Sequence, residues 1–119
     1  MMRAPYENIA LHALMQGPLE PLFCCIGDSV IGNPTQTMME ASLRHDSLPG
    51  RYLTMTVTKD NLKQAVAGLK ALGFSGANVT APHKVAVIEY LDELTESARL
   101  TQAVNCISFR DGKLVGDNT

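Results

Sequence analysis

An α/β fold is predicted here, a three-layer sandwich around a mostly parallel sheet with an antiparallel hairpin at its C-terminal end. Three features of the sequence predict it. Short apolar runs start near residues 22, 53 and 76, each bounded by glycine or polar residues. Segments with apolar residues at helical spacing lie between them. Two further short runs then flank Asp111-Gly112 near the C-terminus. Strands alternating with helices imply parallel pairing through crossovers, whereas a two-residue turn joins only antiparallel neighbours.

The elements follow in order. Leu22-Phe-Cys-Cys-Ile26 is apolar throughout and stops at Gly27, the pattern of a strand covered on both faces. After a polar loop over residues 28–33, Pro34 suits the first turn of a helix running through Met38, Ala41 and Leu43. Leu53, Met55 and Val57 alternate with Tyr52, Thr54 and Thr56, a period of two and hence a strand. Leu62, Val66, Leu69 and Leu72 recur at helical spacing; Thr58 or Asp60 can cap that helix, and Gly73 stops it. Residues 76–80 form another compact strand. Pro82 is expected to open a helix through Val85, Ile88 and Leu91, and Thr95 to cap one ending near Leu100. Residues 106–109 and 113–115 flank Asp-Gly, the dipeptide favoured in a type I′ turn, so they form the hairpin. Residues 1–20 are expected to form an N-terminal extension, with a turn or two of helix over residues 9–15, and residues 21–119 one domain.

The bulk numbers bound the function. A chain of 119 residues suits one compact core. Ten basic residues against twelve acidic ones give a net charge of −2, which offers no electrostatic reason to expect nucleic acid or an anionic membrane as partner. The apolar runs are far shorter than a membrane span. Cys24, Cys25 and Cys106 have no CxxC spacing, and an odd count without a secretory signal fits a reducing cytoplasm. Three histidines and three cysteines scattered this widely do not make a metal site.

Ligands in such sheets bind beyond the carboxyl ends of the strands. Three polar clusters fall there: Gly27 to Gln36, Asn78 to Lys84, and Gly116 to Thr119, with Asn105 at the start of the hairpin. Lys84 is the most pointed residue. In the first turn of a helix, and partly buried, its ammonium would be disfavoured, which suits a proton relay near neutral pH. A solvated surface lysine is the commoner use of such a residue. Asp117 is placed to hold Lys84 and a substrate hydroxyl together, although an aspartate just past a strand is more often a cap or turn residue. His83 reads as a surface or satisfied histidine. Gly27-x-x-x-x-Gly32 lacks the Lys-Ser/Thr of a phosphate loop, and no G-x-G-x-x-G occurs.

With those residues in view, the sequence resembles the shikimate dehydrogenase family. Gly76-Ala-Asn-Val-Thr-Ala-Pro-His-Lys84 is similar to its G-x-N-V-T-x-P-x-K signature. Asp92-Glu-Leu-Thr95, Ala103-Val-Asn105 and Gly116-Asp-Asn-Thr119 resemble its later motifs in the same order. The resemblance covers the chain from about Leu22 to Thr119. It implies a reversible, NADP- or NAD-dependent reduction of 3-dehydroshikimate or a related cyclic keto acid. It implies Lys84 and Asp117 as the catalytic pair, and Thr80 and Asn105 as substrate contacts. Glu96, after the Leu-Thr pair, is implied to lie near the cofactor. Its implied partners are a small acid such as shikimate or quinate, and a second copy in a homodimer.

Two departures qualify that expectation. The family's first loop usually reads G-x-P-x-x-H-S-x-S-P, with two serines on the substrate carboxylate. Here the loop is Gly27-Asp-Ser-Val-Ile-Gly-Asn-Pro-Thr-Gln36, with Asn33 and Thr35 at the serine positions and Gly32 at the histidine. Gln102 and Cys106 also stand where Gly and Thr are common. These changes make quinate or another ring acid a plausible substrate. The second departure is length. Family members are more than twice as long, and the nucleotide-binding Rossmann domain would lie beyond Thr119. The alternative expectation is a stand-alone, non-catalytic binding module for a small polyhydroxylated acid.

Overall fold

The computed structural model describes residues 18–119, so the helix expected over residues 9–15 lies outside the described residues. Six strands form one sheet: β1 (Leu22–Gly27), β2 (Arg51–Thr56), β3 (Gly76–Val79), β4 (Glu93–Leu94), β5 (Cys106–Arg110) and β6 (Lys113–Asp117). Their order across the sheet is β2-β1-β3-β5-β6-β4. β1 pairs in parallel with β2 and β3, and β4 in parallel with β6. β5 runs antiparallel to both β3 and β6, so the hairpin contributes the single reversed strand that its turn predicts. Asp111 and Gly112 have φ of 50° and 76°, the left-handed pair that a type I′ turn needs.

Among the described residues the α-helices are α1 (Thr35–His45), α2 (Leu62–Ala71) and α3 (Glu96–Thr101). On one face of the sheet, Cys24, Ile26, Ala77, Val79, Ile107 and Leu114 pack with Leu62, Val66 and Leu69 of α2 and with Val87, Ala98 and Val104. That is the hydrophobic core. α1 packs against β1 and β2, and its Met39 and Leu43 line a groove with Phe23 and Tyr52 on the other face. Gly73, at φ 78°, ends α2 as its position predicts.

Two local expectations fail, and one strand arises that the sequence does not predict. Neither Thr58 nor Asp60 caps α2 by its side chain. Instead a short 3-10 helix over Lys59–Asn61 leads into it, closed by the Asn61 N–H on the backbone carbonyl of Thr58. The helix expected from Pro82 is absent. Ala81–Pro82 is a cis peptide, the His83 N–H bonds the Thr80 carbonyl at 3.1 Å to close a tight turn, and only a 3-10 helix over Ala86–Tyr90 follows. β4 was not expected at all, because two residues carry no periodicity. By contrast, the Thr95 cap holds, its side-chain oxygen accepting from the Ala98 N–H at 3.3 Å. No helix among the described residues is long and apolar enough to cross a membrane.

Candidate active site

The site is built at the carboxyl ends of β1, β3 and β6. β1 ends at Gly27, and the Thr80 N–H beyond β3 continues the ladder onto the Ile26 carbonyl at 2.9 Å. A Cβ on Gly27 would collide with the methyl group of Thr80, so glycine is what lets these two strand ends close together. The Asp28 N–H then bonds the Ala81 carbonyl at 3.2 Å, tying the first loop to the lysine turn.

In the first loop Asn33 and Thr35 are joined to each other. The Asn33 side-chain carbonyl accepts from the Thr35 N–H at 2.9 Å across Pro34, an Asx turn that starts α1. With that oxygen already accepting one hydrogen bond, the wholly unengaged part of Asn33 among the described residues is its NH2 group, a donor. No hydrogen bond links Asn33 or Thr35 to Lys84 or Asp117 among the described residues.

The turn that carries Lys84 is fastened by its neighbour. His83 is fully buried, and its Nε2 meets the Val57 carbonyl, which requires Nε2 to carry the proton. Its Nδ1 is buried without a partner among the described residues. His83 is therefore an anchor of the turn, neither a surface residue nor a fully satisfied one. Lys84 itself is exposed and precedes a short 3-10 helix rather than opening an α-helix. The helix start and the partial burial expected of Lys84 are therefore both absent from the described residues.

Asp117 lies at the end of β6. Its Oδ1 accepts from the Thr95 hydroxyl at 2.7 Å and from the Asn118 N–H at 2.9 Å. The Asn105 N–H bonds the Asp117 carbonyl at 3.0 Å, while the Asn105 side chain exchanges hydrogen bonds with Thr119. Val104, just before it, donates its N–H to the Lys84 carbonyl at 2.8 Å. Lys84, Asn105 and Asp117 are thus brought together through the backbone. No ion pair forms between Lys84 and Asp117 among the described residues. Glu96 is exposed in the first turn of α3, next to Thr95.

Register places Thr54, Cys25, Asn78, Cys106 and Asp117 in one row across the sheet, projecting from one face. Tyr52 donates its hydroxyl to the Asn78 side-chain carbonyl at 2.8 Å, and the Asn78 amide reaches the Asn105 carbonyl at 3.3 Å. Burial raises the Cys25 thiol, opposed by a hydrogen bond with Tyr52 and by the charge of Lys84. Burial also raises Cys106, and the charge of Asp117 adds to that. Cys25 and Cys106 stand on either side of Asn78 in this row, and Asp117 closes it beside Cys106. Sequence reading missed the Tyr52–Asn78 and Thr95–Asp117 contacts. Both pairs are distant in sequence, and only the motif positions of Asn78 and Thr95 hinted at them.

This geometry has known relatives. Residues 26–107 match the family model of the shikimate dehydrogenase substrate binding domain. The chain belongs to the shikimate dehydrogenase family. It is 50% identical over 95 residues to the NADP(+) shikimate dehydrogenase of Bacillus mycoides, a match covering 76% of this chain and 34% of that one. It therefore spans about a third of the length of such curated relatives. Among solved structures it is similar to the ligand-free 5-ketofructose reductase of a Gluconobacter species, with 44% identity and a TM-score of 0.81, covering 83% of this chain and 36% of that one. A shikimate dehydrogenase in complex with NADP+ superposes with a TM-score of 0.80 at 38% identity, covering 86% and 38%. The sandwich found here is that of the family's substrate-binding domain.

Proposed function

We propose that this chain is the substrate-binding half of an NADP(H)-dependent reductase that interconverts a ring ketone and its alcohol, with 3-dehydroshikimate as the first candidate substrate. The observation that supports the reading is the backbone grip of Val104 and Asn105 on Lys84 and Asp117, which ties an amine-bearing and a carboxylate-bearing residue to one segment. Such a pair suits a carbonyl oxygen that gains or loses a proton. In the reduction, the Lys84 ammonium donates a proton to the carbonyl oxygen as it becomes an alkoxide, and the Asp117 carboxylate accepts a hydrogen bond from a neighbouring hydroxyl. Thr80 and Asn105 orient the ring through their hydroxyl and amide groups.

The described residues fit only an edge of the dinucleotide. Glu96 is exposed at the start of α3, and no glycine-rich strand-to-helix turn offers a seat for a pyrophosphate. Glu96 is thus this chain's candidate contact, and the rest of the cofactor falls to a domain outside the described residues. When bound, the nicotinamide supplies the hydride. The free thiols of Cys24, Cys25 and Cys106 support a reducing, cytoplasmic setting.

A second reading is favoured by the first loop. Asn33 offers a neutral amide donor where the family's serines are said to hold a carboxylate, and the 44% identical neighbour is a reductase of a keto sugar. A neutral polyhydroxylated ketone is then the substrate. The experiment is NADPH oxidation by the whole gene product, offered 3-dehydroshikimate and 5-ketofructose side by side. Preference for the acid supports the first reading, preference for the sugar the second. Binding of either without NADPH oxidation would mean a stand-alone binding module.

A further inference from the structure

We propose that Thr95 is a positioning residue for Asp117, fixing the orientation of its carboxylate; this inference rests on the catalytic reading of Asp117 given above. Thr95 sits between β4 and α3, 22 residues from Asp117 in sequence. Its backbone N–H bonds the Gly116 carbonyl at 2.9 Å, extending the β4–β6 ladder to the residue just before Asp117. Its extended backbone, with φ −68° and ψ 165°, is that of a helix N-cap.

The direction of each hydrogen bond can be worked out. The Ala98 N–H can only donate, so the Thr95 oxygen accepts from it. An ionised carboxylate can only accept, so the single hydroxyl proton of Thr95 points at Asp117 Oδ1. The cap thus orients the hydroxyl, and the hydroxyl orients the carboxylate. A β-branched side chain is well suited to this, because its χ1 is stiff. The Asn118 N–H meets the same oxygen, so two donors converge on Oδ1. Two donors on one oxygen restrain the carboxylate and leave Oδ2 without a hydrogen bond among the described residues. Helix α3 is thereby coupled to the site, which a cap serving only the helix would not do.

The test compares Thr95→Ser, Thr95→Gly and Thr95→Val in the whole gene product, beside Asp117→Asn. Serine keeps the donor and the cap. Glycine is tolerated at an N-cap but lacks the hydroxyl, so it separates helix stability from carboxylate positioning. Thr95→Gly and Thr95→Val are expected to lower kcat by about tenfold or more with KM changed by less than about twofold, while Thr95→Ser stays within about twofold of the parent. In the same gene product, the Asp117 Hα–Hβ couplings are expected to show one rotamer in the parent and in Thr95→Ser, and averaged rotamers in Thr95→Gly. Parent-like kcat in the glycine variant, with Asp117→Asn inactive, overturns the inference and leaves the proposed function standing. A fully active Asp117→Asn overturns the proposed function itself. Should the valine variant not fold or the gene product not turn over, the couplings decide: averaging already in the parent refutes the positioning role.

Discussion

The backbone N–H of Val104 donates to the carbonyl oxygen of Lys84 at 2.8 Å, and Asn105 repeats the contact with Asp117 at 3.0 Å. Val104 is completely buried, so the grip is anchored in the core while the side chains it organises stay outside. Backbone gripping separates placement from chemistry, because Lys84 and Asp117 are held without using their charged groups on each other.

That separation makes Lys84→Ala a clean experiment. The side chain is exposed and makes no hydrogen bond among the described residues, so its removal should change stability by less than about 0.5 kcal/mol. Loss of a proton relay should lower turnover by about 10²-fold or more. A thermal melt and a steady-state assay on the same preparation check both halves. Near-parental turnover would remove Lys84 from the mechanism.

Gly27→Ala should damage the site from the opposite side. The added methyl would strike the Thr80 methyl and come within 3.1 Å of the Ala81 carbonyl, which is backbone and yields poorly. The expected cost is about 1–3 kcal/mol, with Thr80 displaced and KM raised more than kcat is lowered. A chemical denaturation curve and substrate saturation kinetics would show it. An alanine variant as stable as the parent, with unchanged KM, would mean that Thr80 relaxes freely and does not touch the substrate.

Where the sequence was legible, the signal was local. The unbroken apolar run from Leu22 marks a central strand, and Asp111-Gly112 marks a turn whose backbone indeed has two positive φ values. Gly73 marks a helix end for the same steric reason. The motif residues of β3 and β6 could be assigned to strand ends because the parallel topology fixes which ends face a ligand. Illegible features depend on partners far away. Pro82 reads as a helix opener until the buried ring of His83, held by Val57 just past β2, fastens the segment as a turn. Tyr52 reads as an ordinary strand residue until register sets it near Asn78. Lys84 is tied by its backbone to Val104 but lacks the α-helix start that its sequence position suggested.

The outer strand β2 is guarded by side chains. Its Tyr52 and Thr54 N–H groups face away from β1, and Glu40 and Gln36 of α1, one helical turn apart, accept from them at 3.4 and 2.7 Å. Arg51 holds Glu40 in place and keeps its carboxyl below the usual range. The double change Gln36→Ala and Glu40→Ala should cost about 1–3 kcal/mol and expose a strand edge open to self-pairing. Denaturation and light scattering at rising concentration check this. An unchanged midpoint with no new association would mean that water serves the edge equally well.

Alkaline pH should weaken this domain through its buried thiols and phenol. Burial pushes the Cys24 thiol from 9.0 up to about 12, and the neighbouring Cys25 adds to the effect. Burial raises Cys25 too, and it also raises Tyr52 above its ordinary 10.0. Each of these groups holds its proton longer when folded than when unfolded. Below pH 9 both states are protonated and the shifts contribute nothing to the slope. From pH 9 upward the unfolded state binds fewer protons, so stability falls with rising pH until the folded groups ionise as well. For Cys24 alone the loss approaches ~4 kcal/mol by pH 12. Urea midpoints measured between pH 8 and 11 should therefore decline steadily. Cys24→Ala should start from a lower midpoint, because it opens a gap beside Ile26, but should decline less steeply. An identical slope in the variant would show that Cys24 ionises as readily in the folded domain as in the unfolded chain, contrary to its complete burial.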